Sequence, residues 1–313
     1  MFHEIQVKKG AKYHYLSENI RAGRGKWKRV RIYLGKGGLS SGEIGRLVER
    51  NRARLERMVM AEKRETDPLL FLLSESQAEE IEGIRKRHNQ AAKRMDRLAL
   101  QNFYEWFVTQ FTYDTNAIEG SSVTQQETGM ILFEGIVPRE KPIREIREVE
   151  NHKAAFDYMF NYKGDISKRF VLELHRRFMH NILWKLAGVF RPMQVYIRGA
   201  SLAPPAPGKV PGEFKGLMLW YGRNKRKYHP VVLAAYFHAE FERIHPFRDG
   251  NGRVGRLLLN FMLKKNGLPM VDIKNRDRLG YYNALQEAHE KGNLKPMAGL
   301  IVKCLKEGKP GLR

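Results

Sequence analysis

The sequence predicts a mainly α-helical protein preceded by a small basic β-unit. Three observations carry this. Apolar residues recur at helical spacing from about residue 76 almost to the end. Alternation of bulky and polar residues is confined to the first part of the chain. The 313 residues are 42% hydrophobic, enough to fill one large core and a smaller appendage. The expected division is a β-unit over 1–38, a helical connector over 39–75 and a helical domain over 76–308.

In the β-unit, Lys12-Tyr-His-Tyr-Leu16 and Trp27-Lys-Arg-Val-Arg-Ile-Tyr-Leu34 alternate as strands on either side of a stretch holding Gly23 and Gly25. Ser40-Ser-Gly-Glu43 has capping-box spacing, so a charged helix follows it to about Arg64, with Pro68 closing it. Ile81, Ile84, Met95, Leu98, Phe103, Phe107 and Phe111 then form one long apolar stripe. Thr124-Gln-Gln-Glu127 is a second capping box, and further helices are expected over Ile143–Phe160 and Ile166–Leu183. One segment breaks the pattern. Arg191 to Ser201 alternates like a strand, with Val195, Tyr196 and Ile197 at its centre, and runs into Ala203-Pro-Pro-Ala-Pro-Gly-Lys-Val-Pro211. Those prolines cannot continue a helix, so a β-hairpin flap is expected.

Composition narrows the function classes. The longest apolar runs, such as Val231–Phe237, are under half of the roughly 20 residues a membrane helix needs, so no membrane partner is expected. The single cysteine, Cys304, can form no intramolecular disulfide, and a cytoplasmic location is the expectation. The formal charge of +23 predicts attraction to polyanions without choosing among them. Residues 1–36 hold ten Lys or Arg against two acids, with aromatic residues interleaved. That pattern fits a nucleic-acid partner, and equally a half-buried hairpin whose outer face is merely basic.

The chemistry concentrates near residue 250. Pro230 opens a helix, and Pro246 closes it because the residue before a proline disfavours helical geometry. His245 therefore sits at a helix end, followed by a glycine-rich loop and a second helix from near Arg253. Arg253 and Arg256 share the first turn of that helix, where the helix dipole already supplies positive charge. A bound anion is expected to compensate them. Gly250, Gly252 and Gly255 let backbone amides approach a phosphate closely. Asp249, a lone carboxylate in a cationic loop, fits a magnesium ion shared with phosphate oxygens. His245 can take a proton from an attacking hydroxyl. The constellation is that of a phosphoryl- or nucleotidyl-transfer site.

The segment His245-Pro-Phe-Arg-Asp-Gly-Asn-Gly-Arg-Val-Gly-Arg256 resembles the Fic-domain signature His-x-Phe-x-Asp/Glu-Gly-Asn-Gly-Arg-x-x-Arg at every defined position. The similarity extends to Gly188-x-Phe190-Arg191, the strand with Pro204-Pro205, and Tyr281-Tyr282-x-Ala-Leu, covering roughly residues 100–305. It implies a Fic-type helical domain that moves AMP from ATP, with Mg2+, onto a Ser, Thr or Tyr hydroxyl of a target protein or of itself. By position, it implies His245 as general base, Asp249 as magnesium ligand and Phe247 as a buried anchor. Asn251 with the loop amides, including Gly250, Gly252 and Gly255, would stabilise the transferred phosphate. Arg253 and Arg256 would hold the β- and γ-phosphates. Val195, Tyr196 and Ile197 would bind an extended segment of the target by strand addition.

Thr115-Asn-Ala-Ile-Glu119-Gly120 is similar to the inhibitory motif Ser/Thr-x-x-x-Glu-Gly/Asn of many Fic proteins, and Thr115 and Glu119 share a helix face. The resemblance implies that Glu119 pairs with Arg256, blocks the seat of the γ-phosphate and serves in related enzymes to remove AMP. His152 and His175 are expected in helix packing, and the spacing of His238, Glu242 and His245 as a metal triad is set aside for buried hydrogen bonding. A Fic phosphotransferase, a nucleic-acid-binding regulator using the basic unit, and a homodimer stay open.

Overall fold

The computed structural model describes residues 1–21, 27–183, 185–197 and 201–308. It separates into two compact units, Met1–Leu72 and Leu73 onward. In the first, β1 (Phe2–Lys8), β2 (Ala11–Arg21) and β3 (Trp27–Lys36) form an antiparallel sheet in the order β1-β2-β3. β1 is a strand beyond the two expected from sequence. Lys9 and Gly10 both have positive φ, which is the geometry of a two-residue hairpin turn matched to strand twist, and Lys8 pairs with Ala11 across it. Helix α1 (Ser41–Thr66) begins at the capping box of Ser40 and Glu43. Its Leu55 and Val59 pack with Leu16, Ile20, Val30, Ile32 and Leu34, so this helix shares the core of the sheet.

The second unit is helical: α2 (Glu75–Arg94), α3 (Arg97–Ile118), α4 (Gln125–Gly129), α5 (Ile143–Asn161), α6 (Lys168–Phe178), α7 (Val210–Asn224), α8 (Pro230–Ile244), α9 (Asn251–Lys265), α10 (Arg278–Lys291) and α11 (Lys295–Glu307). The long stripe from Ile81 to Phe111 is divided between α2 and α3, because Met95 turns extended and Asp96 caps a new helix by accepting from the Ala99 amide. Helices α8 and α9 lie at the centre. Val231 to Ala235 and Leu257 to Leu263 are buried without interruption. A helix buried on every side needs neighbours all round, and α3, α5, α6, α7, α10 and α11 supply them. No helix among the described residues is long and apolar enough to cross a membrane.

Two segments depart from the sequence-based expectations. α6 stops at Phe178, short of Leu183, and gives way to turns. Between Arg191 and Ile197 the chain forms no ladder, and residues 198–200, the later part of the expected strand, lie outside the described residues. An alternating sequence makes a strand only when a partner edge accepts its hydrogen bonds. Here Gln194 instead donates its side-chain amide to the Pro204 carbonyl at 3.0 Å, tying the two arms by a side chain.

Candidate active site

α8 ends at His245 in the left-handed conformation (φ 48°, ψ 62°), with its amide donating to Phe241 O at 2.9 Å. Pro246 has no amide hydrogen to carry the helix further. Arg191, 2% exposed, fixes this corner: Nε donates to His245 O at 2.8 Å and the Arg191 amide to Pro246 O at 3.0 Å. Its guanidinium also donates to Met193 O and Pro205 O. One side chain thus holds the His245 corner and both arms of the segment 191–205. Tyr196 is 83% exposed, with Val195 and Ile197 half-buried on either side.

The His245 ring has Nδ1 3.3 Å from Glu242 O, so that nitrogen donates and Nε2 keeps its lone pair. Burial pushes the imidazole down to about 4, only partly opposed by the Glu242 carbonyl and the Glu119 charge. It is therefore neutral at physiological pH and able to accept a proton. Glu242, one turn earlier, is fully enclosed; burial pushes its carboxyl up to about 8 against the pull of Arg256. Its Oε1 has no hydrogen-bond partner among the described residues.

The loop is held from inside. Asn251 accepts from the Phe247 amide and donates to the Phe247 carbonyl, both at 2.9 Å. Its side chain is thus a clamp within the loop, and a phosphate contact through it would break two buried hydrogen bonds. Phe247 is fully buried and stacks on His175, with centroids 3.7 Å apart and planes within 3°. His175 Nδ1 accepts from the Gly188 amide at 2.8 Å, which leaves Nε2–H to donate to Asp249 O at 3.0 Å. Gly250 (φ 78°) could not carry a side chain, because a Cβ would press 2.6 Å from Met179 and 2.9 Å from the Phe178 ring. Gly255 serves packing instead of an open loop: a Cβ there would collide with Glu242 Oε1 and lie 3.0 Å from the His238 ring on α8.

The two arginines are compensated, and by protein groups. Arg253, 4% exposed, meets Glu148 at 2.9 Å, Asp249 at 3.3 Å and Asn116 Oδ1 at 3.2 Å. Arg256, 1% exposed, donates Nε to Thr115 Oγ1 at 2.6 Å, one terminal nitrogen to Tyr281 OH at 3.3 Å, and the other to Thr115 O at 3.0 Å and Glu119 at 2.7 Å. Carboxylates of the chain pair with both arginines: Glu119 just beyond α3, Glu148 on α5 and Asp249 in the loop. Burial alone would raise the Glu119 carboxyl, yet Arg256 and Arg253 together hold it below the usual range. Its Oε1 lies over the first turn of α9, where a Cβ on Gly252 would collide with it. Glu119 thus occupies the anion position at the N-terminus of α9.

Asp249 accepts from the Gly250 amide at 2.6 Å and from Arg144. Burial works against its ionisation, but Arg253 and Arg144 outweigh it and keep the carboxyl low. An ionised carboxylate one-third exposed beside the N-terminus of α9 is of the type that can supply one ligand to a magnesium ion. Sequence reasoning missed Glu148, Asn116, Arg144 and the supporting role of His175, and weighed Glu242 only as a metal ligand. Glu148 and Arg144 carried a weak signal as an i, i+4 pair, but nothing local aimed Glu148 at a residue on α9.

This geometry agrees with what the chain is similar to. Residues 165–263 match the family model described as Fic/DOC family. Residues 165–263 are thus a Fic/DOC family domain within this chain. Protein adenylyltransferase Fic of Drosophila ananassae is 32% identical over 78% of this chain and 49% of that protein. The protein of the same name from Aedes aegypti is 34% identical over 66% of this chain and 42% of its own length. Fic-1 of C. elegans superposes with a TM-score of 0.67 at 26% identity, covering 85% of this chain and 83% of that structure. The chain spans about half the length of the adenylyltransferase relatives or less. The matched Fic segment contains α6, α8 and the loop with His245, Asp249 and both arginines, whereas Glu119 and Glu148 lie ahead of it.

Proposed function

We propose that the protein is an adenylyltransferase that moves AMP from ATP to a Ser, Thr or Tyr hydroxyl of a target protein or of itself, and that Glu119 holds it off. The reading rests on one juxtaposition: a neutral His245 with Nε2 available, beside a helix N-terminus whose two buried arginines are paired with carboxylates. The name shared by the Drosophila and Aedes relatives supports the choice of AMP as the transferred group.

In this reading His245 Nε2 takes the hydroxyl proton as the oxygen attacks the α-phosphorus. The bond from that phosphorus to the bridging oxygen breaks, and pyrophosphate leaves with the electron pair. Asp249 would hold magnesium, whose charge would offset the developing negative charge on the phosphates. Amides of the loop, shaped by the Asn251 clamp, and of the first turn of α9 face the phosphates. Arg256 takes the γ-phosphate only after Glu119 has left it, because each of its three nitrogens already donates to the protein and Glu119 holds one of them. The flap around Tyr196 has no ladder partner among the described residues and can accept an extended target segment as its neighbour. The reading takes a cytoplasmic location, with which the single buried thiol of Cys304 is compatible.

Labelled ATP tests the reading with wild type, Glu119→Gly and His245→Ala in the presence of cell extract. Protein labelling from ATP carrying the label at the α-phosphate is expected to be weak in wild type, strong in Glu119→Gly, and absent when His245→Ala is added. Labelling from the γ-position, or label that survives loss of His245, sinks it.

A further inference from the structure

The N-terminal unit offers a surface that the transfer reaction does not use. Side chains alternate along a strand, so the register decides which of them share a face. Tyr15 lies opposite Tyr33, Ser17 opposite Arg31, Asn19 opposite Arg29 and Tyr13 opposite Lys36. One face of the sheet therefore carries Tyr13, Tyr15, Tyr33, Arg29, Arg31 and Lys36. The other face carries Leu16, Ile20, Val30, Ile32 and Leu34, and α1 covers it.

The uncovered face is neither oily nor simply charged. Tyr33 is 52% exposed, and its ring centroid lies 5.6 Å from that of Tyr15 and 6.3 Å from that of Tyr13. The Arg31 guanidinium sits 5.2 Å from the Tyr15 ring and the Lys36 ammonium 5.6 Å from Tyr13. Glu4, the acid on this face, accepts from Ser17, Gln6 and Arg29. No carboxylate is paired with Arg31 or Lys36 among the described residues. By sequence, residues 1–36 hold ten basic against two acidic residues, whereas α1 holds seven against five. Tyrosine pairs alone would stabilise the sheet. They do not call for cations without a carboxylate partner set beside the Tyr15 and Tyr13 rings.

We propose that this open face binds single-stranded nucleic acid, with bases stacked on Tyr33 and Tyr15 and phosphates on Arg31 and Lys36. Rings on a flat sheet take up bases that are already unstacked, which a duplex does not present, and the neighbouring cations follow the backbone. Sequence preference is expected to be slight, because every base has a face to stack.

Fluorescence anisotropy on the full chain tests this with labelled single-stranded RNA and DNA of about 12 nucleotides, within the usual site sizes. A matched duplex and vesicles containing phosphatidylserine serve as rival ligands. Single strands are expected to bind more tightly than the duplex. Tyr33→Ala should weaken binding by about 5- to 100-fold, the range for one lost base stack, while Tyr33→Phe keeps it. The Arg31→Ser, Lys36→Ser double variant should lower the slope of log affinity against log salt by about 1.4. AMP labelling and the circular-dichroism melt should stay at wild-type values, which separates this surface from the transfer site and from misfolding. Equal or tighter duplex binding with no effect of Tyr33→Ala would reduce the face to a nonspecific polyanion patch and overturn the proposal. Binding to vesicles without binding to either single strand would overturn it as well.

Discussion

Replacing Glu119 by glycine should make the protein bind ATP more tightly while making the empty protein less stable. Arg256 is nearly inaccessible, its side chain 2% exposed, whereas the Glu119 side chain is 33% exposed at the mouth of the site. The nucleotide must therefore displace the carboxylate from a fixed arginine. A charged hydrogen bond contributes about 1.5–3 kcal/mol. Removing the competitor should lower the dissociation constant of a non-hydrolysable ATP analogue by about 10- to 100-fold, at about 1.4 kcal/mol per tenfold. Without nucleotide, the variant leaves Arg256 short of a partner. Breaking a fully buried pair costs about 3–5 kcal/mol. Because Glu119 is partly exposed, water replaces it in part and the loss should fall below that range. Titration calorimetry and thermal melts with and without the analogue read both effects, and the stability deficit should shrink as nucleotide is added. The pH dependence has a definite sign. The folded-state pKa of Glu119 is held below its ordinary value of 4.5, so the pair contributes fully above about pH 4.5 and is lost only as pH falls through the lower folded value. The affinity ratio between variant and wild type should therefore be the same at pH 5.5 and 7.5. Equal nucleotide affinity in the two proteins, or a ratio that collapses at pH 5.5, would refute the reasoning.

Two further outcomes follow from the core of the site. Gly255→Ala drives a methyl group into Glu242 and His238 between α8 and α9. Overpacking of about 1–3 kcal/mol exceeds the gain of up to about 1 kcal/mol from better helix propensity. The melting temperature should fall by several degrees, and an unchanged or higher value counts against the close approach described here. Glu242→Gln removes a carboxyl whose folded pKa is raised to about 8 from 4.5. Between those values the folded wild type holds a proton that the unfolded chain has lost, so wild-type stability declines as pH rises. The stability advantage of the Gln variant should widen from pH 5 to pH 8, and parallel profiles from urea unfolding would contradict the buried, protonated state.

The sequence by itself determined what is settled within a few residues of chain. Pro230 and Pro246 bound α8 and put His245 at its end, and the capping boxes at Ser40 and Thr124 start helices through bonds spanning three residues. The glycine-rich turn from Arg248 to Gly252 and the two arginines one helical turn apart were legible for the same reason. Tertiary structure decided what those groups face. Arg253 meets Glu148 on α5, and Arg256 meets Thr115 and Glu119, which are 141 and 137 residues away in sequence. Sequence chemistry registered two cations needing a counter-charge, and the motif resemblance paired Glu119 with Arg256, but only packing brought Glu148 of α5 to Arg253. The strand expected after Arg191 shows the complementary limit. Alternation prepares a segment to pair, and pairing requires an edge that the fold brings alongside. Glycine 255 shows it again: the missing side chain was plain in the sequence, but its purpose, room for the buried Glu242 and His238 of the helix packed against it, exists only once α8 and α9 have come together.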